Sequence, residues 1–267
     1  MKLEITDIHK ADTFIQVLQN LKFFSDCVSL TFEHDKLYVQ GMDTSHISIF
    51  EINILNDWFD TYEIEQQVTL GINTNILYKI LNTRNNDHKI ILEHDEQNND
   101  KISIEFICEE KGEFNKAFHI PLMDIDNEML GLTEMDYDLE FSLNSKKMKT
   151  IVDELSLFGD TINISFENDI VYFSAQTEAE GSMKLSVNID DFESCSVDDQ
   201  ATISTSYGGK FLHWMTNFHK LNKSCTLYVQ NDIPLQFKYD LDSGDDQCGK
   251  NYIRFFLAPK ISDTNDL

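Results

Sequence analysis

The sequence predicts an α+β fold of two similar domains, each with two helices packed on antiparallel sheets. Three observations predict it. A short segment recurs in similar form, FEHDKLYV at 32–39 and FENDIVYF at 166–173, half the chain length apart. Each copy follows an amphipathic helix pattern and a short alternating pattern. A second helix-then-strands series recurs at nearly the same offset.

The first helix falls in FIQVLQNLKFF, where Phe14, Val17, Leu18 and Leu21 stand at i, i+3, i+4 and i+7. The alternating VSLTF after it reads as a strand with one buried face. The Glu-His-Asp centre of the first echo supplies a turn, because Asp and Asn tolerate turn backbone angles and bond their own main chain. NTNILYKILNTR (73–84) is a short helix with Ile76, Leu77, Ile80 and Leu81 directed inward, followed by a strand pair in HKIILEH and KISIEFI. The second half repeats the order. KKMKTIVDELSLF carries Met148, Ile151, Val152 and Leu155 on one stripe, INISF is the strand, and Asn-Asp is the turn. GGKFLHWMTNFHK (208–220) is the fourth helix, and SCTLYVQNDIPLQFKYDL the closing strand pair. Between the halves, PLMDIDNEMLGLTEMDYD (121–138) has neither period. It is acidic, with spaced apolar residues Met129, Leu130 and Leu132, and reads as a loop packed on a domain or a docking strip for partners.

Composition agrees with two ordinary domains. At 267 residues the chain holds two cores, and three prolines, ten glycines and 41% hydrophobic residues indicate globular packing. No apolar run approaches the roughly 20 residues of a membrane helix, and MKLEITDIHK lacks the apolar region of a signal peptide. The five cysteines, Cys27, Cys108, Cys195, Cys225 and Cys248, are odd in number and widely spaced, which predicts free thiols in a reducing compartment.

The charge carries functional information. A net charge of −26 by itself repels nucleic acid. Yet the four helix segments 9–22, 73–84, 145–156 and 208–220 hold nine of the 21 basic residues and three of the 47 acidic ones, +6 against −32 elsewhere. Glutamate is as good a helix former as lysine and is nearly absent from them. Gathered on one side, these helices form a positive face on an acidic body.

Catalytic patterns are lacking. Asp43 and His46 stand three apart with no nucleophile beside them, and DLDSGDDQ (240–247) lacks the glycine and glutamate positions of a calcium loop. Gly208-Gly209 lacks the Lys and Ser/Thr of a phosphate loop, and the histidines have no metal-ligand spacing.

Five segments, QGMDTSHISIFEI (40–52), FDTYEI (59–64), LMDIDNEMLG (122–131), NDIPLQFKYD (231–240) and FFLAPKISD (255–263), resemble in order and spacing the signatures of the proliferating cell nuclear antigen family of DNA sliding clamps. The resemblance covers about residues 9–263. It implies the DNA-clamp fold: an N-terminal domain at 1–120, an interdomain connecting loop at 121–137 and a C-terminal domain at 138–267, with three subunits closing a ring. It implies a processivity factor, not an enzyme, with no cofactor, no metal and no membrane partner. Its partners would be non-specifically encircled duplex DNA, DNA polymerase, a clamp loader and other proteins carrying a clamp-interaction motif, in the nucleus or at a viral replication site.

Residue by residue, the resemblance places a partner-peptide pocket at Met42, His46, Ile47, Ile49, Leu130, Leu132, Pro234, Phe256, Ala258, Pro259 and Ile261. Phe256 stands where relatives usually have Tyr, and Thr133 where a Pro is common. The DNA-facing residues are Lys22, Lys79, Lys146, Lys149, Lys210 and Lys220. Ile15, Gln16, Asn82, Thr150, Asp153 and Asn217 stand where relatives often carry Lys or Arg. Subunits would join through the strands bearing Phe118 and bearing Gly181, Met183 and Leu185. The alternatives are a subunit of a heterotrimeric checkpoint-type clamp and, from another class, a metal-dependent nuclease or phosphatase using acidic clusters.

Overall fold

The computed structural model describes residues 1–95, 100–108, 114–125, 130–198, 201–242 and 249–261. Its contacts divide the chain into two compact units. The first comprises Met1–Thr44, Phe50–Gly131 and Asp240–Ile253; the second comprises Ser45–Ile49, Leu132–Tyr239 and Arg254–Leu267. Met129, Cys248 and most of DLDSGDDQ lie outside the described residues.

The first unit runs β1 (Lys2–Ile5), α1 (Ile8–Asn20), β2 (Cys27–Phe32), β3 (Lys36–Met42), β4 (Ser48–Leu55), β5 (Thr61–Glu63), β6 (Val68–Asn73), α2 (Thr74–Leu81), β7 (Lys89–Glu93), β8 (Lys101–Ile107) and β9 (Lys116–Pro121). One sheet has the order β5-β1-β7-β8-β9, and β6, β2, β3 and β4 are neighbours in another. The helices pack on each other and over the strands. Phe14, Val17, Leu18 and Leu21 are all buried against the strand residues of this core, and Leu21 lies on the 3₁₀ turn that ends α1. Asp7 and Asn73 cap α1 and α2, accepting from the backbone N–H of Lys10 and Ile76 at 2.9 and 3.0 Å.

The second unit runs β10 (Leu139–Asn144), α3 (Ser145–Leu155), β11 (Thr161–Glu167), β12 (Ile170–Thr177), β13 (Gly181–Asn188), β14 (Ser194–Val197), β15 (Ile203–Gly208), α4 (Gly209–Thr216), β16 (Ser224–Val229), β17 (Leu235–Asp240) and β18 (Tyr252–Leu257), except that Asp240, Tyr252 and Ile253 belong to the first unit. One sheet is β13-β12-β11-β15, and β14, β10, β16 and β17 are neighbours in another. Met148, Val152 and Leu155 face the core, while Ile151 is half-buried.

The repeat holds at the level of register. In the first hairpin Leu30, Thr31 and Phe32 oppose Val39, Tyr38 and Leu37. In the second, Ile164, Ser165 and Phe166 oppose Phe173, Tyr172 and Val171, the same pairing 134 positions on. On β2 the expectation of one buried face needs correction, since Ser29 and Thr31 are buried as well as Val28, Leu30 and Phe32. A one-residue slip would still exchange the apolar face for the polar one, so the same register keeps the apolar face inward in each unit.

Three other local expectations need correction. Asn168 and Asp169 do adopt left-handed angles, φ 51° and 61°, as a two-residue hairpin turn requires. The first turn uses none; it closes through Glu33 N–H on Lys36 O at 2.9 Å. Of the four apolar residues expected inward on α2, only Leu77 and Leu81 are buried, with Ile76 38% exposed and Ile80 half-buried. Two helical turns direct only one i, i+4 pair straight at the sheet. Finally, α2 and α4 stop at Leu81 and Thr216, short of 84 and 220, because three-residue turns such as Thr83 N–H on Ile80 O and His219 N–H on Thr216 O replace the helical bonds.

Beyond β9 the connector forms an isolated bridge to β6, at Gly71 and Met123. A Cβ on Gly71 would lie 2.2 Å from the Met123 carbonyl oxygen, so the approach requires glycine. From Leu130 to Tyr137 the chain has no regular structure.

Candidate functional site

The basic residues on the helices divide by what they touch. In the first unit, Arg84 is 4% exposed; it donates to Asp12 Oδ1 at 2.6 Å and to the carbonyls of His88 and Asn86. Lys10 donates to the Trp58 carbonyl at 2.6 Å, with its ammonium 5.4 Å from the Trp58 ring centre. Both charges secure the fold. Lys22 stands over the Tyr78 ring, and the Tyr78 phenol is lowered from its usual range by a hydrogen bond with Asn82 and by Lys22. Lys79 is exposed on α2, and Ile15 is buried, so a residue there faces the core.

In the second unit, Asp153 has two partners on the paired helices α3 and α4. Its Oδ2 lies 3.1 Å from Lys149 Nζ and its Oδ1 2.9 Å from His213 Nδ1. Lys149 also donates to Asn217 at 3.3 Å. Lys146, Lys147, Lys210 and Lys220 are exposed, with Lys210 4.6 Å over the Trp214 ring. The field of these lysines registers on a neighbour: the His219 imidazole is lowered by burial first, and then by Lys149, Lys220 and Lys146. A surface of this kind attracts a polyanion weakly and reads no bases.

The residues that the resemblance assigns to a partner pocket fall in both units. In the first unit, alternation along β3 puts Tyr38, Gln40 and Met42 on the face opposite buried Leu37 and Val39. Gln40 Nε2 donates to the Leu130 carbonyl at 3.0 Å, and Leu130 N–H donates back to Gln40 Oε1 at 2.6 Å. In the second unit, Ala258 N–H donates to Ile47 O at 3.0 Å, which sets the exposed Ile47 beside the C-terminal strip. His46 is exposed with φ 59°, a left-handed angle that histidine adopts more readily than most residues. Ile49, Leu132, Pro234 and Pro259 are half-buried, and Ala258 and Ile261 exposed. Phe256 is buried at 4%, beneath the Arg254 guanidinium at 5.2 Å. Arg254 also pairs with Glu134 at 3.4 Å, and Tyr137 donates to the Pro234 carbonyl at 3.2 Å, so the connector is tied to this unit as well. Burial pushes the Tyr137 phenol up to about 12.

Phe118 and the group Gly181, Met183 and Leu185 lie on β9 and β13, which are end strands of their sheets. Met183, Leu185 and Val187 form a half-buried row on β13, and Phe118 is half-buried on β9 against Phe106. Two outer strand edges of this kind offer unpaired backbone groups to another chain.

Asp43 is buried and His46 exposed. Among the described residues no three His, Cys, Asp or Glu side chains gather to hold a metal ion, and Cys27, Cys108, Cys195 and Cys225 are free thiols. No described helix is long and apolar enough to cross a membrane. What sequence reasoning missed is Gln40: the residue lies inside a quoted signature segment, but only the fold shows what its side chain holds.

Two family descriptions match the chain: proliferating cell nuclear antigen, N-terminal domain, at residues 3–129, and proliferating cell nuclear antigen, C-terminal domain, at residues 131–260. Among solved structures, the chain is similar to one in the crystal structure of the PCNA2–PCNA3 complex from Sulfolobus tokodaii, with 21% sequence identity and a TM-score of 0.84. That likeness covers 97% of this chain and 99% of the other.

Proposed function

We propose, for a chain that belongs to the proliferating cell nuclear antigen family, that three copies close a sliding clamp around duplex DNA and tether DNA polymerase and other replication and repair proteins. The single observation that carries the proposal is the distribution of charge on a duplicated fold. Exposed Lys79, Lys146, Lys147, Lys210 and Lys220 lie on or at the ends of the paired helices of an otherwise acidic chain. A topological link needs no base readout and no tight contact, only a lining along which phosphates slide.

Assembly would use the β9 edge of one copy and the β13 edge of the next, as two open strand edges in different units invite. The solved relative is a complex of two different proteins, PCNA2 and PCNA3; for this chain we favour three identical copies, since a single chain supplies both edges. The connecting loop and C-terminal strip would take a partner's motif peptide, and the site of action would be the nucleus or a viral replication site. Mass measurement in solution tests the assembly. Three times the 31.0 kDa chain mass is expected, whereas a monomer at micromolar concentration would contradict it.

A further inference from the structure

Behind the Gln40–Leu130 contact lies a polar chain of four side chains in the first unit. Gln40 Nε2 also donates to Tyr38 Oη at 3.1 Å. Tyr38 donates to Glu51 Oε1 at 2.7 Å, and Tyr252 donates to Glu51 Oε2 at 3.2 Å. Glu51 is 5% exposed and Gln40 8% exposed, so both are largely withheld from water and bonded within the protein.

The polarity of the chain is fixed from its far end. The Tyr38 hydroxyl has one proton, and it goes to Glu51 Oε1. The Tyr38 oxygen then accepts, which calls for the nitrogen side of the Gln40 carboxamide. That orientation leaves Oε1 to receive Leu130 N–H and the second amide proton to reach Leu130 O. A carboxamide turned the other way would set oxygen against oxygen and nitrogen against nitrogen at Leu130.

We propose that Gln40 is a positioning residue: Tyr38, Glu51 and Tyr252 orient its carboxamide, and the carboxamide fixes the connecting segment at Leu130 in the conformation that receives a partner peptide. The peptide-binding half of this statement rests on the function proposed above; the positioning half does not. A segment without regular structure has no ladder of its own to hold it, and ordering it at the moment of binding costs affinity. Gln40 removes that cost by ordering it beforehand, through the backbone and with no demand on the Leu130 side chain, which stays available to a ligand.

The test uses the full-length protein as Gln40→Met, which keeps the length and loses the hydrogen bonds, and as Tyr38→Phe, which removes only the orienting hydroxyl. Tyr62→Phe is the control. Its hydroxyl bonds the Glu33 carbonyl and the Lys36 carbonyl, neither of them in the connector. Two readouts are taken: amide hydrogen exchange at Leu130, and affinity for a synthetic clamp-interaction-motif peptide. Gln40→Met is expected to speed Leu130 exchange roughly tenfold and weaken the peptide roughly fivefold, the scale set by net hydrogen-bond strengths. Tyr38→Phe should do the same to a smaller extent, and Tyr62→Phe neither. Unchanged Leu130 exchange in both Gln40→Met and Tyr38→Phe overturns the proposal. Faster exchange with unchanged affinity overturns the link to partner binding. A parent protein that binds no motif peptide, with Leu130 exchange still responding, refutes the proposed partner function and supports the positioning role.

Discussion

Arg84 Nη1 lies 2.6 Å from Asp12 Oδ1, and the Arg84 side chain is 4% exposed. This arginine belongs to the positive helix segments by sequence and to the interior by structure. Its guanidinium ties the end of α2 to α1, with the His88 and Asn86 carbonyls completing its contacts. Counting charges along a helix therefore overstates the positive surface. Arg84 and Lys10 hold the fold, and Lys149 is compensated by Asp153.

Asp12→Ala should accordingly destabilise the protein by about 1–3 kcal/mol, because a buried guanidinium loses its anionic partner. The lower part of the range is expected, since Asp12 itself is 40% exposed and solvent screens the pair. Denaturant unfolding with an unchanged m-value checks this. A loss below about 0.3 kcal/mol would show that the carbonyls suffice.

Reversal of the exposed lysines should act on DNA alone. Lys79→Glu with Lys210→Glu is expected to lower clamp-dependent polymerase processivity several-fold at moderate salt. The deficit should be independent of template sequence, as phosphate contacts carry no base information. Assembly mass and peptide affinity should stay within error, which a primed-template extension assay run beside light scattering would establish.

Phe118→Asp on β9, or Leu185→Asp on β13, should convert the assembly to monomers at micromolar concentration. Each change puts a charge where an apolar side chain, worth on the order of 1.5–3 kcal/mol when covered, would meet another copy. Persistence of the assembly in both variants would place the joint elsewhere.

Ile47→Ser together with Leu130→Ser should weaken a motif peptide by at least about 2 kcal/mol, through loss of two aliphatic contacts. Lys146→Glu, a distant surface change, should alter it by less than roughly 0.5 kcal/mol. Isothermal titration of the three proteins with one peptide distinguishes a pocket at these residues from one elsewhere.

Alkaline pH should destabilise the fold. Burial pushes the Cys225 thiol up to about 12 from a reference of 9.0, and the Tyr207 phenol up to about 12 from 10.0. In the unfolded chain these groups lose their protons first, so the folded state holds more protons between about 9 and 12. Their contribution is complete below the unfolded values and is lost as pH rises through the folded ones. Urea midpoints taken from pH 8 upward should fall, and Cys225→Ala should flatten the part of the decline that begins near 9.

Much of the fold was legible because burial imposes a period. Phe14, Val17, Leu18 and Leu21 could be placed from spacing alone, and the two hairpins from their repeated residues. Where the period is short the reading weakened: Ile76 and Leu77 are equally apolar neighbours on α2, yet only Leu77 is buried. The lysines showed which segments are basic but not which cations a neighbour neutralises, since Asp12 and Arg84 are 72 positions apart. Gln40 was hidden for the same reason. Its partner Leu130 is 90 positions away in a segment with no period to read.

Retention on circular and linear DNA tests the topological link most directly. The protein, loaded onto a closed circular duplex, is washed at about 1 M salt, where the Debye length is roughly 3 Å and simple phosphate contacts are screened. Half of the circles are then cut once. A ring that encircles DNA stays on the closed circles and is lost from the cut ones. Equal retention on both, or release from closed circles by salt alone, would mean that the helices meet DNA as an ordinary charged surface and that no ring surrounds it.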